Sequence, residues 1–274
     1  MKFGLALPVR GDNCRRELLV DAAKTAEDMG FDSIWVWDHY MTPSSNALLD
    51  AWILLSHLAA VTSKVSLGSL VTPIPFRPPG MLAKMVATAD ILSGGRVILG
   101  VGAGWHRPEF EGYSVWDDDA TRVAKTREGL RLILKLWTED KVDFEGRYYS
   151  ARGAVLEPKP VQKPHPPLWF GSFGSYMLKL TARYGEGWIP VHISSEEYGE
   201  AKANLLRHMK SMGKKRMIFS LFDNEFSSPD DLQNKMEAFK DAGCEYYVPL
   251  WNIGEEDYKK KLKKYVDEVL PSFR

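Results

Sequence analysis

The chain has 274 residues, 45% of them hydrophobic, which excludes a disordered polymer and leaves enough apolar side chain for a sizeable core. Lys+Arg and Asp+Glu each number 36, so the net charge is zero and the basic excess of a dedicated nucleic-acid binder is missing. Two cysteines, Cys14 and Cys244, are too few for a disulfide framework or a multi-thiolate metal site, and they fit a reducing compartment.

In chain order, Phe3-Gly4-Leu5-Ala6-Leu7 comes first, a short apolar run followed closely by Arg10 and Asp12. It reads as a strand and not as a secretory leader. Leu18, Ala22, Ala26 and Met29 then share one helical face, and Gly30 ends that helix. Further strands are predicted at Ile34–Trp37, Val65–Val71, Val97–Val101, Leu168–Phe170, Trp188–Val191, Met217–Phe222 and Tyr246–Leu250. These runs are apolar without alternation, as in parallel strands covered on both faces. The first four start about every 32 residues, the length of a βα unit. A helix is predicted over 121–138. Pro158, Pro160, Pro164, Pro166 and Pro167 then forbid a continuous helix, so residues 140–167 read as an insertion loop with a short hairpin around Phe144–Ser150. Ser228-Pro229-Asp230-Asp231 starts a late helix with Leu232, Met236 and Phe239 on its apolar face, closed by Gly243. In the last helix Lys259, Lys260, Lys261, Lys263 and Lys264 lie opposite Tyr258, Leu262, Tyr265 and Val266, a solvated face and not a nucleic-acid patch.

This alternation predicts an α/β protein: a single (β/α)8 TIM barrel over residues 1–274, with its insertion after the fourth strand. A doubly wound sheet is the alternative, because periodicity does not show closure. No run approaches the roughly 18 apolar residues of a membrane span, so the expectation is a soluble, cytoplasmic protein without membrane or nucleic-acid partners.

In a barrel, function sits where the strands end. Those ends carry Trp37-Asp38-His39-Tyr40, Ser69-Leu70-Val71-Thr72-Pro73, and Gly100-Val101-Gly102-Ala103-Gly104-Trp105 with Glu109 behind it. Gly171-Ser172-Phe173-Gly174-Ser175 and Pro190-Val191-His192 follow. The Gly100-x-Gly102-x-Gly104 run departs from the dinucleotide fingerprint, since its third glycine comes one position early and it follows a fourth strand. Its glycines admit either a flat ligand or tight internal packing. Asp38-His39 has no further ligands at metal-like spacing, and H-E-x-x-H and C-x-x-C are both missing, so no metal is expected. From the residues alone, His39 is either a structural or a functional imidazole. Gly171–Ser175 is either an anion cradle or an ordinary helix start. Most of the nine tryptophans suit a core, and a few at the rim would suit a planar cofactor.

Taken together, several segments resemble the bacterial luciferase-like family of flavin and deazaflavin oxidoreductases over nearly the full length. They are Gly30–Trp35 leading to Asp38-His39-Tyr40, Ala83-Lys84 leading to Leu92–Trp105, Pro158–Pro164 through Pro167-Leu168-Trp169, Tyr184–Trp188, and Ala242-Gly243. The resemblance implies a (β/α)8 barrel with an insertion after strand 4. Asp38-His39-Tyr40 resembles the branch that uses coenzyme F-420 (F420), an 8-hydroxy-5-deazaflavin. That branch includes a methylene-tetrahydromethanopterin reductase, a secondary-alcohol dehydrogenase and a glucose-6-phosphate dehydrogenase.

The implied activity is hydride transfer between F-420 and a small organic substrate such as an alcohol, a sugar derivative or a pterin. Carried onto this chain, the coenzyme contacts would be Asp38, His39, Ser69, Leu70, Thr72, Gly102, Ala103, Gly104, Trp105, the phosphate loop Gly171, Ser172, Phe173 and Gly174, and Val191. His39 would be the catalytic acid or base. Asp38 would bond the ring or fix the His39 tautomer. The sugar-phosphate enzyme carries a catalytic carboxylate where this chain has Trp105, which puts glucose 6-phosphate in doubt; the role of Glu109 is open. A non-proline cis peptide is implied at Ser69–Leu70. A basic groove for the coenzyme would draw on Arg77, Lys84, Lys179 and Arg183. The family also implies a homodimer. An FMN-dependent monooxygenase and a flavin-binding barrel without catalysis are the two competing readings.

Overall fold

The computed structural model describes residues 1–171, 174–224, 226 and 228–273. Its strands are β1 (Lys2–Leu7), β2 (Ser33–Val36), β3 (Ser66–Ser69), β4 (Thr72–Pro73), β5 (Val97–Gly102), β6 (Val142–Glu145), β7 (Ser150–Ala154), β8 (Leu168–Phe170), β9 (Gly187–Trp188), β10 (Ile218–Asp223) and β11 (Tyr246–Pro249). Between them run α1 (Arg16–Asp28), α2 (Ala51–Val61), α3 (Pro79–Ser93), α4 (Arg107–Tyr113), α5 (Asp119–Thr138), α6 (Ser175–Tyr184), α7 (Ser195–Ser211), α8 (Pro229–Asp241) and α9 (Tyr258–Glu268). Parallel pairing runs β1-β2-β3-β5-β8-β9-β10-β11 and returns from β11 to β1. The β3–β5 pairing closes the ring, so the sheet is a (β/α)8 barrel and the doubly wound alternative is excluded.

The insertion follows β5, the fourth barrel strand. Its β6–β7 hairpin is antiparallel and pairs only within itself. The buried Glu128 carboxylate on α5 accepts the backbone N–H groups of Arg147, Tyr148 and Tyr149 at 3.1, 2.7 and 2.7 Å, which pins the hairpin tip to the barrel's outer layer. No helix among the described residues is long and apolar enough to cross a membrane.

Three local features differ from the sequence expectation. The face that α1 buries is Leu19, Ala22, Ala23 and Ala26, one residue over from Leu18, which is half-buried. The sixth barrel strand, β9, is only Gly187–Trp188, because Pro190 has no N–H with which to extend the ladder. The short β4 and α4 were not anticipated. Their few residues carry too little apolar periodicity to stand out.

Aromatic side chains fill the barrel. Trp35 on β2 lies 5.1 Å from Trp169 on β8, and Trp169 meets Tyr246 on β11 edge-on at 5.2 Å. The Trp35 indole N–H and the Tyr246 hydroxyl both donate to the buried Ser33 Oγ at 2.6 Å, so the polar tips of two large side chains are satisfied inside the core. Room for Trp35 comes from Gly68 on the neighbouring β3, where a Cβ would stand 2.2 Å from the indole ring. Gly68→Ala should therefore overpack the barrel and cost about 3 kcal/mol of unfolding free energy. Denaturant titration would measure it, and adding Trp35→Phe should recover part of the loss. An unchanged midpoint for Gly68→Ala would contradict this packing.

Candidate active site

The chain leaves β2 through Trp37-Asp38-His39-Tyr40, at the barrel mouth where catalytic groups of this architecture lie. A carboxylate from far along the sequence meets it there. Glu109, in the first turn of α4, has a side chain only 1% exposed. Its Oε2 lies 2.9 Å from His39 Nδ1. Its Oε1 accepts the Tyr40 N–H, and also the Met41 N–H at 3.2 Å. One buried carboxylate thus fixes both the imidazole and the backbone turn that carries it. With Glu109 as acceptor, Nδ1 of His39 carries the proton, and Nε2 has no partner among the described residues. The Trp105 ring packs edge-on against the imidazole at 5.7 Å.

Asp38 does something different from either role expected of it. Its two carboxylate oxygens accept the two arms of the Arg77 guanidinium, each at 2.8 Å, with both side chains almost completely buried. Arg77 also donates to Asp50 at 2.9 Å, and its guanidinium stacks 5.2 Å over Tyr40. Asp50 in turn caps α2, accepting the Trp52 and Ile53 N–H groups at 3.0 Å. Burial alone would lower the Arg77 pKa, but the facing Asp38 carboxylate raises it above its ordinary value. Asp38 is therefore a brace between the β2 end and the start of α3, and the His39 tautomer is set by Glu109.

The Ser69–Thr72 segment crosses from β3 to β4 beneath this turn. Ser69 and Thr72 are completely buried. Thr72 Oγ1 donates to Ser69 Oγ at 2.9 Å, and Ser69 Oγ accepts the Gly100 N–H at 3.1 Å. The Trp52 indole donates to Thr72 Oγ1 at 3.1 Å. These side chains hold the segment from behind, and Leu70 and the half-buried Val71 form its other side. A Cβ on Gly100 would stand 1.8 Å from the Ser69 carbonyl oxygen, so the glycine run admits the chain's own 69–71 segment. The non-proline cis peptide is Leu70–Val71, one bond later than expected. The reason lies in the ladder: the Leu70 N–H still donates to the Val36 carbonyl at 2.8 Å, so the chain keeps strand register through Leu70.

Gly102, Ala103 and Gly104 line the β5 exit, with Gly104 at φ +83 and the Phe110 ring where its Cβ would be. Gly171 and Gly174 flank the start of α6, which no side chain caps. Ser172 and Phe173 lie outside the described residues. Val191 is half-buried beyond β9, beside a cleft of about 470 Å³ lined by His192, Ser194, Asp223, Asn224 and Lys235. In that cleft Asp223 accepts the Tyr247 hydroxyl and lies 3.6 Å from Lys235.

The expected basic groove is not assembled. The charge of Arg77 is met by Asp38 and Asp50, and Lys84 donates to the Glu157 carbonyl of the insertion. Lys179 and Arg183 are exposed on α6 over the rings of Tyr176 and Tyr184. No group of three or more metal-binding side chains occurs among the described residues. Sequence reasoning left Glu109 without a role and missed Asp50. The only local signals were a carboxylate just behind the Gly104-Trp105 turn and an Asp immediately before an apolar helix. Because Asp38 and Arg77 are a buried, bidentate pair, Asp38→Ala should cost about 3–5 kcal/mol by stranding the guanidinium. Guanidinium chloride unfolding would measure this; a loss below about 1 kcal/mol would mean that Asp50 alone suffices.

The chain is 36% identical over 175 residues to an F420-dependent glucose-6-phosphate dehydrogenase of Amycolatopsis mediterranei (strain U-32), covering 62% of this chain and 52% of that protein. It spans about half the length of that relative. A like-named protein of Nakamurella multipartita is 35% identical over 258 residues, 92% of this chain and 75% of its own length. Among solved structures, a monooxygenase from Streptomyces bottropensis superposes with a TM-score of 0.88 at 19% identity, over 100% of both chains. An F420-dependent secondary alcohol dehydrogenase, solved with an F420-acetone adduct, gives 0.85 at 20% identity over 100% of this chain and 99% of its own. Residues 1–223 match the luciferase-like monooxygenase family, and the chain belongs to it.

Proposed function

We propose that this protein is an oxidoreductase that transfers a hydride between coenzyme F-420 and a small organic substrate. The observation that carries the reading is the His39–Glu109 pair at the barrel mouth, an imidazole with one nitrogen fixed at 2.9 Å and the other available. The names of the curated relatives supply the coenzyme.

The residues fit such a group. Leu70 and Val71 offer an apolar floor, and the Val71 side chain seats against Gly100, Gly102 and Gly171, where no Cβ stands in its way. The α6 N-terminus after Gly174, without a side-chain cap, offers N–H groups to a phosphate. Ser172 and Phe173, outside the described residues, would share that phosphate contact. Gly102, Ala103, Gly104, Trp105 and Val191 would border the ring, while Asp38, Ser69 and Thr72 brace the site from behind.

When bound, the coenzyme supplies the hydride acceptor or donor. The protein's part is proton handling and positioning. His39 Nε2 takes the proton of a substrate hydroxyl as the carbonyl forms, and returns it in the reverse direction. Glu109 holds the ring plane and keeps the other proton on Nδ1. Trp105, edge-on to the imidazole at 5.7 Å, bounds it on one side.

We also take the chain as one barrel unit over residues 1–274, with 140–167 as its insertion, working as a cytoplasmic homodimer. Supporting the dimer, α2 carries no charged side chain along its length, and Ile53 on its outer side is 73% exposed.

The test is a spectral titration with F-420 and, in parallel, FMN. Saturable binding of F-420 with none of FMN is expected; the reverse would favour the monooxygenase reading. His39→Ala should then lower turnover of the fastest hydride donor by about 10²–10⁴-fold while leaving F-420 binding within roughly threefold. An unchanged rate would make His39 structural.

A further inference from the structure

We infer that the rim beside His39 selects a neutral substrate with a planar or apolar face, in preference to a phosphorylated one. The inference rests on the proposed function and specifies the substrate class of the same site. Its first ground is an exposed aromatic pair. Trp105 is 61% exposed and Tyr113 is 63% exposed, both within the segment that follows β5. Trp105 packs on His39 at 5.7 Å, and Tyr113 lies 5.0 Å from Tyr40. The two exposed rings therefore flank the dipeptide that carries the imidazole. Large apolar side chains left in water at a barrel mouth mark a surface that a ligand covers. A ring or an apolar face stacked on Trp105 would lie beside the imidazole.

The second ground is charge. The ionised groups tied to this rim are the carboxylates of Asp38, Asp50, Glu109 and Glu111 and the guanidiniums of Arg77 and Arg107. Arg77 is held between Asp38 and Asp50, and Arg107 is paired with Glu111 at 2.8 Å. With Arg10 at the β1 end included, four carboxylates still outnumber three guanidiniums, and a phosphate dianion brought here would meet a net negative field. Arg10, at the β1 end, lies 5.0 Å over the Trp37 ring and donates to Ser44. The exposed Trp105 ring beside His39 makes it a specificity-determining residue, and the substrate differs in class from the sugar phosphate in the names of the curated relatives.

The test uses acetophenone, a neutral aryl ketone, and glucose 6-phosphate as probes, titrated calorimetrically into the full-length protein with and without oxidised F-420. Saturable acetophenone binding is expected, weakened at least about tenfold in Trp105→Ala and restored to within about threefold in Trp105→Phe. Glucose 6-phosphate should give no saturable heat at millimolar concentration. Tighter binding of glucose 6-phosphate than of acetophenone would overturn the inference, as would no acetophenone binding, or an acetophenone affinity indifferent to Trp105→Ala. A titration of F-420 into the same sample reads the proposed function separately. A protein that binds F-420 yet prefers glucose 6-phosphate keeps the function and loses this inference.

Discussion

Glu109 is a carboxylate removed from water, and its three acceptor contacts decide how the mouth of the barrel is built. Its side chain is 1% exposed and it faces no lysine or arginine in the described contacts; its partners are the His39 imidazole and the Tyr40 and Met41 N–H groups. A buried carboxylate must have its lone pairs satisfied, so the 39–41 turn cannot drift without stranding it. The constraint runs both ways. The turn and α4 are tied to each other, and Nε2 of the imidazole between them has no partner among the described residues.

A second buried cluster lies beside the first and serves a different end. Asp38 and Asp50 grip Arg77 from two sides, joining the β2 end, the α2 cap and the chain entering α3. Both carboxylate oxygens of Asp38 and of Asp50 and both terminal nitrogens of Arg77 have partners, so the cluster suits a frame and not a proton relay. Of the adjacent residues Asp38 and His39, the first is thus locked into the frame, and the second is the one we propose for chemistry. Tyr40 completes the arrangement by stacking on Phe76 at 5.1 Å, its phenol pushed up by burial.

The barrel itself was legible in the sequence because buried parallel strands leave continuous apolar runs, and Phe3–Leu7, Val97–Val101 and Tyr246–Leu250 are such runs. The strand-end rule likewise assigns His39 and Trp105 to one mouth from sequence. What stayed hidden was pairing at long range. His39 and Glu109 are 70 residues apart, and Asp38 and Arg77 are 39 apart, so no local pattern says which carboxylate meets which base. The adjacent Asp38 was the natural partner to assign to His39, but the bidentate guanidinium claims it. The glycine run was ambiguous for a related reason: a missing Cβ tells that something approaches, and only the fold tells that at Gly100 it is the Ser69 carbonyl.

Membership of the luciferase-like family fixes the scaffold, while the chemistry at this chain's mouth depends on its own residues. The proposed action of Glu109 through His39 is reported directly by the imidazole tautomer. Long-range ¹H–¹⁵N correlation spectra of the ¹⁵N-labelled protein, with His39 assigned by the loss of its signals in His39→Gln, would read it above the imidazole titration. The account predicts that neutral His39 carries its proton on Nδ1, with Nε2 unprotonated, and that Glu109→Gln abolishes this bias. A neutral His39 protonated on Nε2 in the wild-type protein, or a tautomer that ignores Glu109→Gln, would contradict it.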